Sequence, residues 1–228
     1  MPDLTPAETD ELLAATAAWG VNVSALSPGV FKIPLDDPRV ESQITDTLPR
    51  TYDLAARLGA KIVIVFGFLM PQGAREADYP RPLLDVFHRV AEEARAAGFT
   101  LTLENEPSCW IGTGATAARV MAELNHPNLR LNWDPANSAW AGGDPYPAEY
   151  EAVRPYVAHL HIKDIVRGDP PRGVPLGEGE IDWAGQVDAL RRDGYDGFWT
   201  VETHCAPKVK ATHDSLQALC RLLGVRLA

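Results

Sequence analysis

One short stretch of the sequence places three chemically active side chains at alternate positions. The segment VAHLHIKD has the apolar composition of a buried strand, and it carries His159, His161 and Lys163. Because successive side chains of a strand point to opposite faces, these three lie on one face. Titratable groups on the face of a core strand indicate a binding or catalytic site.

Three other strand-like segments also place polar side chains at alternate positions toward their carboxyl ends, and each carries a carboxylate on that face. FTLTLENE presents Glu104, LRLNWD presents Asp134 and GFWTVETH presents Glu202. Any one of these residues is compatible with a salt-bridged or solvated position. Three carboxylates at one place repel each other, and burying a carboxylate without a partner is costly. A divalent cation removes the difficulty, and three carboxylates with one imidazole favour Mn²⁺, Mg²⁺ or Co²⁺, with Zn²⁺ as an alternative.

The elements that would position these residues alternate regularly along the chain. Thr5-Pro6 followed by Glu8 predicts the start of the first helix, and Gly20, Gly59 and Gly98 predict helix ends. The predicted strands are 21–26, 61–68, 99–106, 129–134, 157–164 and 197–204. The predicted helices lie near 6–18, 40–58, 80–97, 114–124, 145–154, 182–193 and 210–223.

Alternating helices and strands predict an α/β fold with parallel strands joined by right-handed crossovers. The sequence has no Gly-rich turn after the first strand, so a dinucleotide-binding sheet is disfavoured. We predict a (β/α) barrel of the TIM type, in which active sites form at the carboxyl ends of the strands. No Gly/Ser-rich linker divides the chain, so residues 1–228 are expected to form one domain.

The composition limits the classes of molecule that this protein is expected to bind. A formal net charge of −10 disfavours nucleic acid and an anionic membrane surface. The three cysteines are not spaced as CxxC, so we expect reduced thiols and a cytoplasmic location. Neither a signal peptide nor a membrane-spanning segment is predicted. A small molecule is the expected partner.

Five motifs together resemble a known family. LTLENEP, LNWDPANS, HLHIKD, PLGEGEIDW and GYDGFWTVETH, in this order, resemble the sugar-phosphate isomerase/epimerase family with the xylose-isomerase-like TIM barrel. That family includes ketose 3-epimerases, hydroxypyruvate isomerases and inosose dehydratases. The likeness covers about residues 8–225, and HLHIKD followed by PLGEGEIDW is its most specific part. The resemblance implies one metal ion bound by Glu104, Asp134, His161 and Glu202.

The resemblance also implies substrate contacts. It suggests that Asn137, Lys163 and Arg167 face the substrate, Arg167 on loop spacing alone. His159 lies deeper than His161, and we expect a hydrogen-bonded core histidine or a group behind the ligands. We nevertheless include His159 among the substrate-binding residues.

The expected chemistry follows from the two glutamates. A metal ion that binds a substrate carbonyl and a neighbouring hydroxyl acidifies the adjacent C–H. Glu104 and Glu202 would then take and return that proton through an enediolate as general base and acid. The predicted activity is isomerisation or epimerisation of a small sugar or sugar phosphate. An inosose-dehydratase-type lyase and a non-catalytic metal or sugar binder remain alternatives, whereas an endonuclease-IV-like role is disfavoured by the acidic charge and the few histidines.

The strand count departs from the family pattern. The family barrel has eight strands and six are visible here, so the first two strands and the first helix are expected to be missing. Unpaired strand edges at 21–26 and 197–204 would be costly. We therefore expect an open or flattened barrel whose gap is covered by loops or by another subunit in a homo-oligomer.

Overall fold

The computed structural model describes residues 4–226, and within them six parallel strands form one sheet. These strands are β1 (Ala25–Leu26), β2 (Ile62–Phe66), β3 (Thr100–Glu104), β4 (Leu129–Trp133), β5 (Val157–Ile162) and β8 (Trp199–Val201). They lie side by side in chain order, with β1 and β8 at the two edges. The sheet is a curled half-barrel, so the predicted six-stranded TIM-type fold is confirmed.

Helices connect the strands and cover the sheet. They are α1 (Pro6–Ala18), α2 (Arg39–Ser42), α3 (Leu48–Leu58), α4 (Pro82–Ala97), α5 (Gly114–Leu124), α6 (Pro135–Trp140), α7 (Tyr150–Val153), α8 (Trp183–Arg192) and α9 (Lys208–Leu223). The amphipathic helices α3, α4 and α5 pack on β2, β3 and β4 through a continuous apolar core. In the described part of the chain, no helix is long and apolar enough to cross a membrane.

The predicted start of α1 and the predicted ends of α3 and α4 are confirmed. Thr5 caps α1 by accepting from the Glu8 N–H, and the Glu8 carboxylate accepts from the Thr5 N–H. Gly59 and Gly98 end α3 and α4 with φ of 74° and 80°, a left-handed conformation that favours glycine. These glycines turn the chain into the strand that follows each helix.

Several element bounds differ from the predictions. The edge strands β1 and β8 are shorter than predicted because only these residues reach the backbone of their single neighbour. The helix predicted near 145–154 is interrupted, with Tyr146 extended inside it. After β5 the chain forms an unpredicted antiparallel hairpin, β6 (Asp164–Val166) and β7 (Arg172–Val174). The short helix α6 was also not predicted.

Candidate active site

Four strands that follow one another across the sheet bring three carboxylates and one imidazole together. Glu104 is the last residue of β3 and His161 lies in β5, whereas Asp134 and Glu202 directly follow β4 and β8. One potential ligand atom from each side chain lies within 4.8 Å of the others. We call these residues the four-residue cluster. The cluster lies at the carboxyl ends of the strands, where a parallel barrel gathers its strand ends.

The Glu104 carboxylate is buried and held by two amides. Its Oε2 accepts from Asn132 Nδ2 at 3.0 Å, and its Oε1 accepts from Asn137 Nδ2 at 3.2 Å. Asn132 is the register neighbour of Glu104 across β3 and β4. Because both oxygens are hydrogen-bonded, the carboxylate has a fixed orientation toward His161, whose Nδ1 lies 3.4 Å from Oε1.

Helix α6 fixes the Asp134 carboxylate. Asp134 caps α6, and its Oδ1 accepts from the Asn137 N–H at 2.8 Å. The Asp134 N–H donates to Asn105 Oδ1 at 2.9 Å, and Asn105 Nδ2 donates back to the Asp134 carbonyl at 2.8 Å. The sequence signal for α6 was present, since Asp134-Pro135 has an N-cap residue followed by Pro at the first helical position. Asn105 was missed because alternation places it on the opposite face from Glu104.

Lys163 links two carboxylates of the cluster. Its side chain is only 5% exposed, and Nζ lies 2.8 Å from Asp134 Oδ2 and 2.7 Å from Glu202 Oε2. The contact with Glu202 is a hydrogen bond, whereas the contact with Asp134 is an ion pair without hydrogen-bond alignment. Burial lowers the pKa of a lysine, but the two carboxylates outweigh it and raise the pKa of Lys163. Lys163 therefore remains an ammonium.

The pKa values of two carboxyl groups in the cluster shift in opposite directions. Burial raises the pKa of Asp134, and Glu104 and Glu202 add to this shift while Lys163 opposes it. Burial acts in the same direction on Glu202, but contacts with His204 and Lys163 hold its pKa well below its usual range. Glu202 is also the outermost member of the cluster, with 34% of its side chain exposed.

His161, like Asp134 with its Oδ2, carries a buried polar atom that has no hydrogen-bond partner. Its buried Nδ1 has no hydrogen-bond partner, although it lies 3.4 Å from Glu104 Oε1 and 3.6 Å from Glu202 Oε2. Burial lowers the pKa of His161, but the surrounding carboxylates raise it by more. Buried polar atoms are nearly always hydrogen-bonded, so an orphaned ring nitrogen facing carboxylates is typical of a ligand position.

His159 lies behind the cluster with both ring nitrogens engaged. Nδ1 is 3.0 Å from Asn132 Oδ1, and Nε2 is 3.3 Å from Thr200 Oγ1. Burial, followed by the charge of His161, lowers the pKa of His159 to about 4. The ring is therefore neutral. It bridges Asn132 of β4 and Thr200 of β8, and Asn132 in turn donates to Glu104.

Arg167 lies in the turn of the hairpin after β5, between β6 and β7. Its guanidinium is about half exposed, donates to the Gly143 carbonyl at 3.1 Å and lies 3.6 Å from Glu180 Oε2. Its backbone N–H donates to Glu180 Oε1 at 3.3 Å. The structure thus joins Arg167 to the GEGEID loop, whereas Asn137 and Lys163 directly contact the four-residue cluster.

Asp164 explains why HLHIKD and PLGEGEIDW occur together. Its buried carboxylate accepts from four backbone N–H groups, those of Ile165, Gly177, Gly179 and Ile181, at 2.9–3.2 Å. A Cβ on Gly179 would lie 2.1 Å from Asp164 Oδ1. The second motif therefore wraps around a side chain of the first. Sequence reasoning did not identify this residue, since three of its four partners lie more than ten positions away.

The fold is that of a parallel barrel with acidic and imidazole groups at the carboxyl ends of its strands. Comparison of the chain with known protein families identifies its family. The family described as "Xylose isomerase-like TIM barrel" matches residues 1–222. The chain belongs to this family.

Named relatives include sugar epimerases. L-ribulose-5-phosphate 3-epimerase UlaE of Escherichia coli is 24% identical over 195 residues, which cover 84% of this chain and 68% of the relative. A xylose isomerase-like TIM barrel protein from Mycobacterium smegmatis, solved in complex with magnesium, has a TM-score of 0.79 and 22% identity, covering 97% of this chain and 79% of that one. A D-tagatose 3-epimerase-like protein has a TM-score of 0.79 and 19% identity, with coverages of 96% and 84%. These two structural likenesses support the fold.

Proposed function

We propose that this protein is a divalent-metal-dependent isomerase or epimerase of a small sugar or sugar phosphate. The observation that carries the proposal is the four-residue cluster, whose ligand atoms lie within 4.8 Å of one another and include the orphaned Nδ1 of His161. Its carboxyl groups outnumber the one ammonium that contacts them. A divalent cation fits this donor set, and three carboxylates with one imidazole favour Mn²⁺, Mg²⁺ or Co²⁺.

The chain's own residues supply the proton transfer. When bound, the cation would polarise a substrate carbonyl and so acidify the neighbouring C–H. Glu104 is oriented by two amides and buried, so it is suited to take or return a proton at a fixed point. Glu202 approaches from β8, and its partial exposure lets a proton that it takes from the substrate exchange with solvent. Opposite placement of two such groups is what an epimerisation requires.

The remaining residues hold the reacting groups in place. Lys163 orients Glu202 and Asp134, and its permanent charge stabilises negative charge that develops on a substrate oxygen. We assign Asn137 to the orientation of Glu104 and to the substrate wall. His159 is reassigned to positioning Asn132, because neither ring nitrogen is available to substrate. Arg167 is assigned to the outer wall from its place after β5.

Proton exchange tests the proposed activity. Protein loaded with Mn²⁺ is incubated in D₂O with a panel of ketoses, and NMR follows deuterium entry at carbon. Glu202→Gln should abolish exchange at saturating metal, whereas the matched surface variant Glu93→Gln on α4 should exchange normally. Unchanged exchange in Glu202→Gln would eliminate the proton-transfer role of this residue. Loss of water from the sugar would instead identify a dehydratase.

Metal binding is tested separately by calorimetry. Mn²⁺ should bind with a stoichiometry of one, and His161→Gln should weaken binding at least about tenfold, because loss of even an outer partner of a metal ligand costs about 10–100-fold in affinity. His213→Gln, an exposed histidine on α9, is the matched control. Tight binding without exchange on any substrate would support a non-catalytic metal binder, and equal affinity in His161→Gln would refute the ligand set.

A further inference from the structure

A corner of the site beside Glu104 combines an ion pair with an aromatic ring. Lys32, in the loop after β1, lies 2.9 Å from Glu106 Oε2 and 4.7 Å from the centre of the Phe66 ring. Phe66 ends β2 and is the register neighbour of Glu104, so both side chains lie on one face of the sheet. We call Lys32, Phe66 and Glu106 the Lys32 corner. Its Lys–Glu pair therefore adjoins the proposed general base.

The backbone leading into this corner is strained. Phe31 and Phe68 have φ of 67° and 58°, a left-handed conformation that is unfavourable for aromatic residues. Their buried rings stack at 4.6 Å, and Phe87 packs against both. Such strain persists where the surroundings enforce it and is concentrated at functional sites. The buried aromatic stack thus holds the residue that immediately precedes Lys32.

Each cation that we place around the site faces a carboxylate. Lys32 is paired with Glu106, and Lys163 lies between two carboxylates of the cluster. Arg167, on the hairpin after β5, is 3.6 Å from Glu180 Oε2. A phosphate dianion at Lys32 or at Arg167 would therefore meet a carboxylate together with the cation.

Two further features of the described chain disfavour an anion. The N–H groups of the GEGEID loop converge like an anion-binding turn, but the buried Asp164 carboxylate already accepts from them. Beyond the Lys32 corner lies an open hollow of about 420 Å³, lined by prolines, Leu69 and Trp110. Among the described residues that line it, Asp36 is the charged one. This surface suits an uncharged ligand.

We propose, on the basis of the proposed function, that the substrate is an uncharged polyhydroxy ketone or its aldose isomer, and not a phosphate ester. Lys32 and Glu106 donate to and accept from its hydroxyl groups, and the Phe66 ring packs on its C–H surface. A paired donor and acceptor beside an aromatic ring matches a sugar, whose hydroxyls both donate and accept. Lys32 and Glu106 are thereby specificity-determining residues.

Substrate preference tests the proposal. In the D₂O exchange assay, the Mn²⁺-loaded enzyme should show kcat/KM at least about tenfold higher for a free ketose than for its phosphate ester. One charge-assisted hydrogen bond contributes an effect of this size. An equal or greater kcat/KM for the phosphate ester would overturn the proposal and leave the proposed function intact.

Two variants and one control make the test specific. Lys32→Met should raise KM for the free ketose about tenfold. Glu106→Gln should release Lys32 from its partner and shift the preference toward the phosphate ester. Lys210→Met removes a paired lysine on α9 and should leave both substrates unaffected. If Glu106→Gln leaves the preference unchanged, the charge-based selectivity is wrong.

A binding measurement without metal separates the two proposals. A free ketose should raise the Tm of the wild-type protein more than that of Lys32→Met, and inorganic phosphate should raise neither. A selective shift by ketose without exchange would retain this inference and remove the proposed function. A Tm increase with phosphate that Lys32→Met abolishes would refute it, and a panel that gives neither exchange nor shift would refute both.

Discussion

Asp164→Asn replaces a buried carboxylate with an amide of the same shape and tests how the GEGEID loop is held. The carboxylate accepts from four N–H groups, with Oδ1 bonded to Ile165 and Ile181 and Oδ2 bonded to Gly177 and Gly179. An amide retains one acceptor oxygen. Its NH₂ group must therefore face two backbone N–H donors that previously had an acceptor.

The magnitude follows from these contacts. Each buried donor left without an acceptor costs about 1–3 kcal/mol, so two cost about 2–6 kcal/mol of the free energy of unfolding. For a chain of this length, each 1 kcal/mol lowers Tm by about 2–4 °C. A loss of about 4 kcal/mol would therefore lower Tm by roughly 8–16 °C, far beyond experimental error.

Guanidinium chloride unfolding followed by circular dichroism measures the effect. The midpoint should fall while the slope stays constant, and limited proteolysis should begin within 175–181. Asp78→Asn, which removes an exposed carboxylate paired with Arg75, is the matched control and should leave the midpoint nearly unchanged. If Asp164→Asn unfolds within about 1 kcal/mol of the wild type and resists proteolysis equally, the assigned role is wrong.

Two surface predictions can be measured in the same preparations. Thr5→Ala removes the cap that α1 shares with Glu8 and should lower the free energy of unfolding by about 1 kcal/mol, and an unchanged unfolding midpoint would contradict the capping assignment. Hydrogen bonds from Arg95 and then His126 lower the pKa of Glu92 to about 2, so their stabilisation is present above pH 4.5 and is lost as pH falls toward 2. Carbon NMR should show this titration, and Arg95→Met should move the midpoint upward. A Glu92 midpoint near 4.5 in the wild type would show that the ion pair does not form in solution.

The sequence by itself determined the number, order and facing of the strands in the six-stranded parallel sheet. Alternation along a strand is imposed by local backbone sterics, so Glu104 and His161 could be assigned to the inner face without coordinates. The ends of α3 and α4 were equally predictable, because Gly59 and Gly98 adopt a conformation that other residues avoid. These features depend on neighbours in the chain.

Only the tertiary structure decided which side chains hold the site together. Lys32 and Glu106 are 74 positions apart, and Lys163 reaches Glu202 across 39 positions. The orphaned nitrogen of His161 is likewise defined by atoms from other strands. Such contacts depend on loop paths and on the packing of elements remote in sequence, which no local pattern of residue types specifies.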